Sequence, residues 1–209
     1  MSATPPASDS AIVIVGLGNP GAEYAGTRHN LGETCVRALA SRLGVEISRR
    51  RWRSLVGFSD LPLGFPGRVW LMLPQTFMNR SGDAVAAALR DAGVGPSSAW
   101  VVHDELDLPL CRLRIRLGGS AAGNNGVKSI LGALGTDQFW RFRIGVGKPP
   151  SSRLGVNYVL GRWSRAEAAR LPAVVAGVTD ALEEALRSGV VRAMDLYNRA
   201  GSLGCEELL

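Results

Sequence analysis

Residues 12–32 read IVIVGLGNPGAEYAGTRHNLG, and the step from a β-branched run into closely spaced glycines decides the class of fold. Ile12 to Val15 is apolar throughout and bounded by glycine, which suits a strand buried on both faces of a parallel sheet. Gly16, Gly18 and Gly21 then let the chain turn sharply and approach a neighbour closely. Their spacing satisfies G-x-G-x-x-G, but dinucleotide binding needs a helix opening at the third glycine. Here Pro20-Gly21 lies in the turn and the apolar helical stripe starts only at Leu31. Glu46, the candidate ribose acid, falls in a short VEI run after a further glycine, so a nucleotide-binding fold is disfavoured.

Outward from this stretch, strands and helices alternate. Leu31, Cys35, Leu39 and Leu43 form one face of a helix ending at Gly44. SRRRWR at 48–53 reads as a solvated strand edge in preference to an RNA contact, and Ser54–Ser59 and Arg68–Leu73 as strands. Asn79, Ser81 and Asp83 open a helix whose stripe is Ala84, Val85, Ala88, Leu89 and Ala92, stopped by Gly93. Trp100–Val102 is a buried strand running into His103-Asp104-Glu105; strand alternation sends His103 and Asp104 to opposite faces. Leu113, Ile115 and Leu117 alternate with Arg112, Arg114 and Arg116, giving a strand with an arginine face. The polar loop GGSAAGNNG leads into a helix with Val127, Ile130, Leu131 and Leu134 on one side, and Phe142–Val146 is a further strand. KPPSSRLG at 148–155 is a loop, Ser164 and Glu167 make a capping box, and Pro172 restarts the closing helix. The pattern predicts a single-domain α/β/α sandwich in three layers, with a mixed, mostly parallel twisted sheet. In such sheets ligands bind beyond the carboxyl ends of the strands, where Asn19, His29, Asp104 and the Asn124-Asn125 loop all fall.

Composition bounds the function. At 209 residues, with 46% hydrophobic and 20% charged side chains, the chain is long enough for one soluble α/β domain. We expect a disordered lead-in over 1–10, the domain over 11–200 and a C-terminal tail over 201–209. MSATPPASDS lacks the basic and apolar regions of a secretory signal, and no apolar run approaches the roughly 18 residues that span a bilayer. Cys35, Cys111 and Cys205 are odd in number and widely spaced, which supports neither a disulfide framework nor a metal site and suggests a reducing cytoplasm. Cys35 lies on an apolar helical stripe, the setting of a buried thiol rather than a nucleophile. A net charge of +6 fits an anionic partner as well as it fits a solvated basic surface.

GLGNPGAEYAGTRHNLG, PQTFMNRSG at 74–82, VVHDELDLP at 101–109, GGSAAGNNGVKSI at 118–130 and FRIGVGKP at 142–149 resemble, in order, the motifs of bacterial-type peptidyl-tRNA hydrolases. The resemblance implies an enzyme that cleaves the ester between a peptide, or an N-blocked aminoacyl group, and the 3′ end of tRNA. It also implies a cytoplasmic monomer without cofactor, metal, membrane or obligate protein partner. Its macromolecular partner is the acceptor stem and 3′ end of peptidyl-tRNA. A non-catalytic RNA-binding relative of the splicing-factor branch is the alternative, and retention of the family's polar residues favours the enzyme.

Ester hydrolysis near neutrality needs a base for water and donors for the oxyanion. A histidine, with an ordinary pKa of about 6.5, suits the first task, and His29 also fits a residue packing at a helix start. The resemblance assigns His29 as general base and Asp104 as the carboxylate that orients it, and leaves His103 structural. Without a G-x-S-x-G elbow, direct attack by water fits better than a serine nucleophile. By the same resemblance Asn19, Asn79 and Asn125 bind substrate, Tyr24, Phe77 and Met78 line the cleft, and Arg116, Lys128 and Arg143 grip tRNA phosphate. Where the family commonly carries histidine, this chain has Asn124, which can donate a hydrogen bond but cannot transfer a proton.

Overall fold

The run Ile12–Val15 forms β1 (Ala11–Gly16), the central strand of a seven-stranded sheet. A computed structural model describes residues 11–60, 62–149, 151 and 155–205. The other strands are β2 (Arg49–Arg51), β3 (Ser54–Asp60), β4 (Arg68–Pro74), β5 (Ala99–Glu105), β6 (Leu113–Leu117) and β7 (Trp140–Gly145). Their order is β2-β3-β4-β1-β5-β7-β6. The β4-β1-β5-β7 centre is parallel, whereas β2, β3 and β6 join through antiparallel pairs. Mixed edges on a parallel centre are therefore as expected.

Alternation along β1 explains the layers. Ile14 faces a core closed by α1 (Leu31–Arg42), α6 (Leu171–Ser188) and α7 (Val190–Tyr197), through residues such as Cys35, Leu39, Val178, Leu182 and Ala193. Val13 and Val15 face a second core closed by α2 (Ser81–Ala92) and α3 (Asn125–Leu134), through Val85, Leu89, Val127 and Ile130. Each of the Val, Leu and Ile side chains among these, fully buried, contributes about 1.5–3 kcal/mol. Helix α2 ends at Gly93 in the left-handed region, φ 68°, where glycine carries no Cβ penalty. The Ser164–Glu167 capping box opens α5 (Arg165–Ala168), and Pro172 sits in the first turn of α6.

The structure departs from the sequence reading in three places. Helix α4 (Gly155–Val159) starts at the last residue of the predicted loop, half of which lies outside the described residues. Packing continues past residue 200, since Leu203 and Cys205 are buried against the α1/α6 core, while the expected lead-in over 1–10 and residues 206–209 lie outside the described set. Cys111 and Cys205 are joined as a disulfide across 94 residues, which corrects the expectation of unpaired cysteines. Spacing could not reveal it, because the loop after β5 and the end of the chain meet only in the folded state. Cys35 alone is free, and its burial pushes the thiol far above its ordinary range, as expected of an unreactive core residue.

Candidate active site

The site is assembled where the chain leaves β1 and reaches the end of β5. The Leu17 amide donates to the Val102 carbonyl at 3.0 Å, and the Glu33 amide donates to the Leu17 carbonyl at 3.0 Å. Gly32 makes that approach feasible, because a Cβ there would lie 2.1 Å from the Val102 oxygen. The start of α1 thus rests directly on β5, and the 3₁₀ turn Arg28–Asn30 that precedes it holds His29 over Asp104. His29 Nδ1 lies 2.9 Å from both Oδ1 and Oδ2 of Asp104, with both residues buried. A carboxylate only accepts, so it selects the tautomer with hydrogen on Nδ1 and leaves the Nε2 lone pair as the basic site.

Three further contacts fix Asp104. Asn124 Nδ2 donates to Asp104 Oδ1 at 3.0 Å and approaches the Asp104 carbonyl at 3.2 Å. His103 Nδ1 donates to the same carbonyl at 2.8 Å, pointing to the other face as alternation requires. Burial pushes the His103 imidazole below its ordinary pKa and favours the neutral ring, consistent with a structural residue.

Asn19 is tied at three atoms. Its backbone N–H and C=O bond the Asn30 side chain at 3.0 and 2.9 Å, and its Oδ1 accepts the Met78 amide at 2.8 Å. The Asn19 side-chain NH₂ is the end left for a ligand. Asn19, His29 and Asp104 share a pocket of about 390 Å³ with Phe77, Met78, Asn79 and Asn125. Leu106 and, from α4 and the residue after it, Val156, Val159 and Leu160 give it an apolar wall. Phe77 is 57% exposed at this pocket, and Tyr24, outside its lining, meets Phe77 edge to face at 6.4 Å.

Arg28, next to His29, anchors that wall. It is buried, stands over the Tyr158 and Trp163 rings at 4.1 and 4.9 Å, and makes bidentate bonds of 2.9 and 2.7 Å to Glu167. Its guanidinium also donates to the carbonyls of Tyr158 and Arg162. No local pattern in the sequence signals a buried arginine here.

The predicted basic residues lie on β6, β7 and α3. Leu113, Ile115, Phe142 and Ile144 point into the α1/α6 core, so Arg114, Arg116, Arg141 and Arg143 face the opposite side, in register as Arg114 with Arg143 and Arg116 with Arg141. Lys128 is exposed on α3, itself packed on that side of the sheet. Arg143 is not wholly free: its Nε donates to Glu105 Oε2 at 2.9 Å, and Glu105 also receives the Asp107 amide and lines the pocket. Arg141 is buried and donates to the carbonyls of Gly119 and Ser120 under the polar loop. Burial, then the Arg116 cation, pushes Arg141 down to about 10, which leaves it charged at neutral pH. Sequence reasoning gave no role to Arg28, Glu105 and Arg141, and noted Asn124 as a hydrogen-bond donor without its contact to Asp104. Alternation with Arg143 was the available signal for Arg141, and adjacency to Asp104 for Glu105.

A family model for peptidyl-tRNA hydrolase matches residues 13–203. A peptidyl-tRNA hydrolase of Chloroflexus aggregans is 45% identical over 187 residues, covering 89% of this chain and 98% of that protein. One from an Anaeromyxobacter strain is 42% identical, covering 90% and 96%. The crystal structure of the Acinetobacter baumannii peptidyl-tRNA hydrolase superposes with a TM-score of 0.83 at 33% identity, covering 90% of this chain and 94% of that one.

Proposed function

Because the chain belongs to the peptidyl-tRNA hydrolase family, and its reaction is the hydrolysis of peptidyl-tRNA, we propose that His29 and Asp104 supply the catalytic base. The observation that carries this assignment is the 2.9 Å contact of His29 Nδ1 with both Asp104 oxygens at the wall of the pocket. Nε2 takes a proton from water as the water oxygen attacks the ester carbonyl carbon. Asp104 stabilises the imidazolium that results. The imidazolium then gives its proton to the departing ribose oxygen as the carbon–oxygen bond breaks, releasing tRNA and peptide.

The NH₂ of Asn19, oriented by the Met78 amide, is placed to donate to the carbonyl oxygen, a contact that strengthens as negative charge develops. Asn79 and Asn125 supply uncharged donors and acceptors at the same pocket for the peptide backbone or the terminal adenosine. Tyr24 and Phe77 wall or stack at its mouth. Arg116, Lys128 and Arg143 bind acceptor-stem phosphate on the arginine face, with Glu105 aiming Arg143.

Among the described residues no helix is long and apolar enough to cross a membrane. We place the enzyme in the cytoplasm as a monomeric single domain, where peptidyl-tRNA arises. The test is incubation with N-blocked aminoacyl-tRNA and with free aminoacyl-tRNA, using wild type and His29→Ala. Release from the blocked substrate alone, reduced about 10²- to 10⁴-fold in the variant, supports the assignment. Near-wild-type turnover by His29→Ala refutes it.

A further inference from the structure

Asn124 occupies the position where the resemblance expects histidine, and its amide is used at both ends. Its Oδ1 accepts the Gly126 and Val127 amides at 3.0 and 3.1 Å, capping α3. Its Nδ2 donates to Asp104 Oδ1 at 3.0 Å. The reverse placement would set the NH₂ against two N–H donors and the oxygen against a carboxylate, so the network dictates which way the amide points. Serine or aspartate would cap α3 about as well. Aspartate, ionised at neutral pH, has no proton to donate to Asp104, and the shorter serine has one oxygen at the cap and no second atom where Asn124 Nδ2 stands.

We propose that Asn124 is a positioning residue for the hydrolysis: it fixes the plane of the Asp104 carboxylate, so that both oxygens face His29 Nδ1, through a donor that carries no titrating proton. The proposal rests on the His29–Asp104 assignment. Asp104 Oδ1 accepts from both Asn124 and His29, so rotation of the carboxylate breaks the two bonds together. The other charged or titratable groups nearby have their own partners. Glu105 is held by Arg143 and the Asp107 amide, Arg28 by Glu167, and His103 turns to the other face onto a backbone carbonyl. A change at residue 124 therefore reaches His29 through Asp104.

The test compares kcat, KM, thermal unfolding and the pH profile of kcat for Asn124→Ser and Asn124→Asp, with His29→Ala in parallel. Both caps should hold the fold, so unfolding temperatures should stay near wild type. Loss of a hydrogen bond to a charged group should lower kcat of Asn124→Ser by about 10- to 100-fold, with the pH profile unmoved and KM within about twofold. Asn124→Asp should differ in kind. Two adjacent carboxyls share a proton, so at lower pH the new side chain still donates to Asp104, and as pH rises it ionises and repels it. Its kcat should therefore fall along an added descending limb that wild type lacks, a signature that helix capping alone cannot produce. If both variants keep wild-type kcat and profile, or lose activity only in proportion to lost folded protein, Asn124 is a helix cap and the proposal is wrong. If His29→Ala is fully active, the underlying assignment has failed instead.

Discussion

Replacing Glu167 with alanine tests the anchor that holds the pocket's apolar wall to the turn carrying His29. The substitution removes the two bonds donated by Arg28 and the bond that the Ser164 amide donates to Glu167 Oε2. Arg28, whose side chain is 8% exposed, keeps its backbone carbonyls and two aromatic faces but loses its counter-charge. A hydrogen bond to a charged group contributes about 1.5–3 kcal/mol, and removing one partner of a buried pair costs about 3–5 kcal/mol. Water at the 24%-exposed Glu167 side recovers part of that. A net loss of about 3 kcal/mol is expected, and in a chain of this size it lowers Tm by about 6–12 °C. Glu167→Gln, which keeps one acceptor, should lose about half as much.

The pH dependence gives a second reading of the same contact. Burial alone would raise the Glu167 carboxyl pKa, but the Arg28 bonds and those from Ser164 outweigh it and hold the group below the ordinary range. A depressed folded-state pKa means that the contribution is present above the ordinary glutamate value of about 4.3 and is lost as pH falls from there through the lower folded-state value. The Tm gap between wild type and Glu167→Ala, followed by calorimetry, should be constant at neutral pH and narrow below about pH 4.5. A gap under about 1 °C at pH 7, or one that does not change with acidification, refutes this account of the anchor.

Arg116→Gln and Arg143→Gln should raise KM for peptidyl-tRNA and flatten its logarithmic salt dependence by about 0.7–0.9 each, while leaving a short fragment without the acceptor phosphate unaffected; equal losses on both substrates would make them fold residues. Activity on a minimal substrate should survive exhaustive chelation, since among the described residues no group of three His, Cys, Asp or Glu side chains could hold a metal ion, and restoration by one specific divalent ion would overturn that. Denatured, oxidised protein should titrate one thiol, Cys35, and three after reduction. By loop entropy over 94 residues, reduction should cost about 4–5 kcal/mol of stability, and an unchanged unfolding midpoint would deny the cross-link a stabilising role.

The fold was legible where local pattern and tertiary role coincide. The Leu31, Cys35 and Leu39 stripe became the buried face of α1, and Ser164 with Glu167 formed the capping box. The site was legible as a set of residues but not as contacts. Nothing local brings residue 29 to residue 104; their meeting follows from β1 and β5 being parallel neighbours and from the space opened at Gly32. Glu167 illustrates the limit. Its capping role is a three-residue pattern, whereas its bond to Arg28 spans 139 positions and leaves no local trace. Helix α7 and the Cys111–Cys205 bond are of the same kind, decided by what the end of the chain packs against.

That bond also divides the molecule topologically. It closes β6, α3, β7 and α4 through α7 into one covalent ring, while His29 and Asp104 both stand before the ring begins. A single proteolytic cut within the ring leaves the fragments attached, and His29 and Asp104 stay on the amino-terminal piece. In the oxidised protein, reassembly of such a nicked molecule is a first-order event at the effective concentration set by the tether. In the reduced protein it becomes an encounter between two separate chains, whose rate depends on dilution.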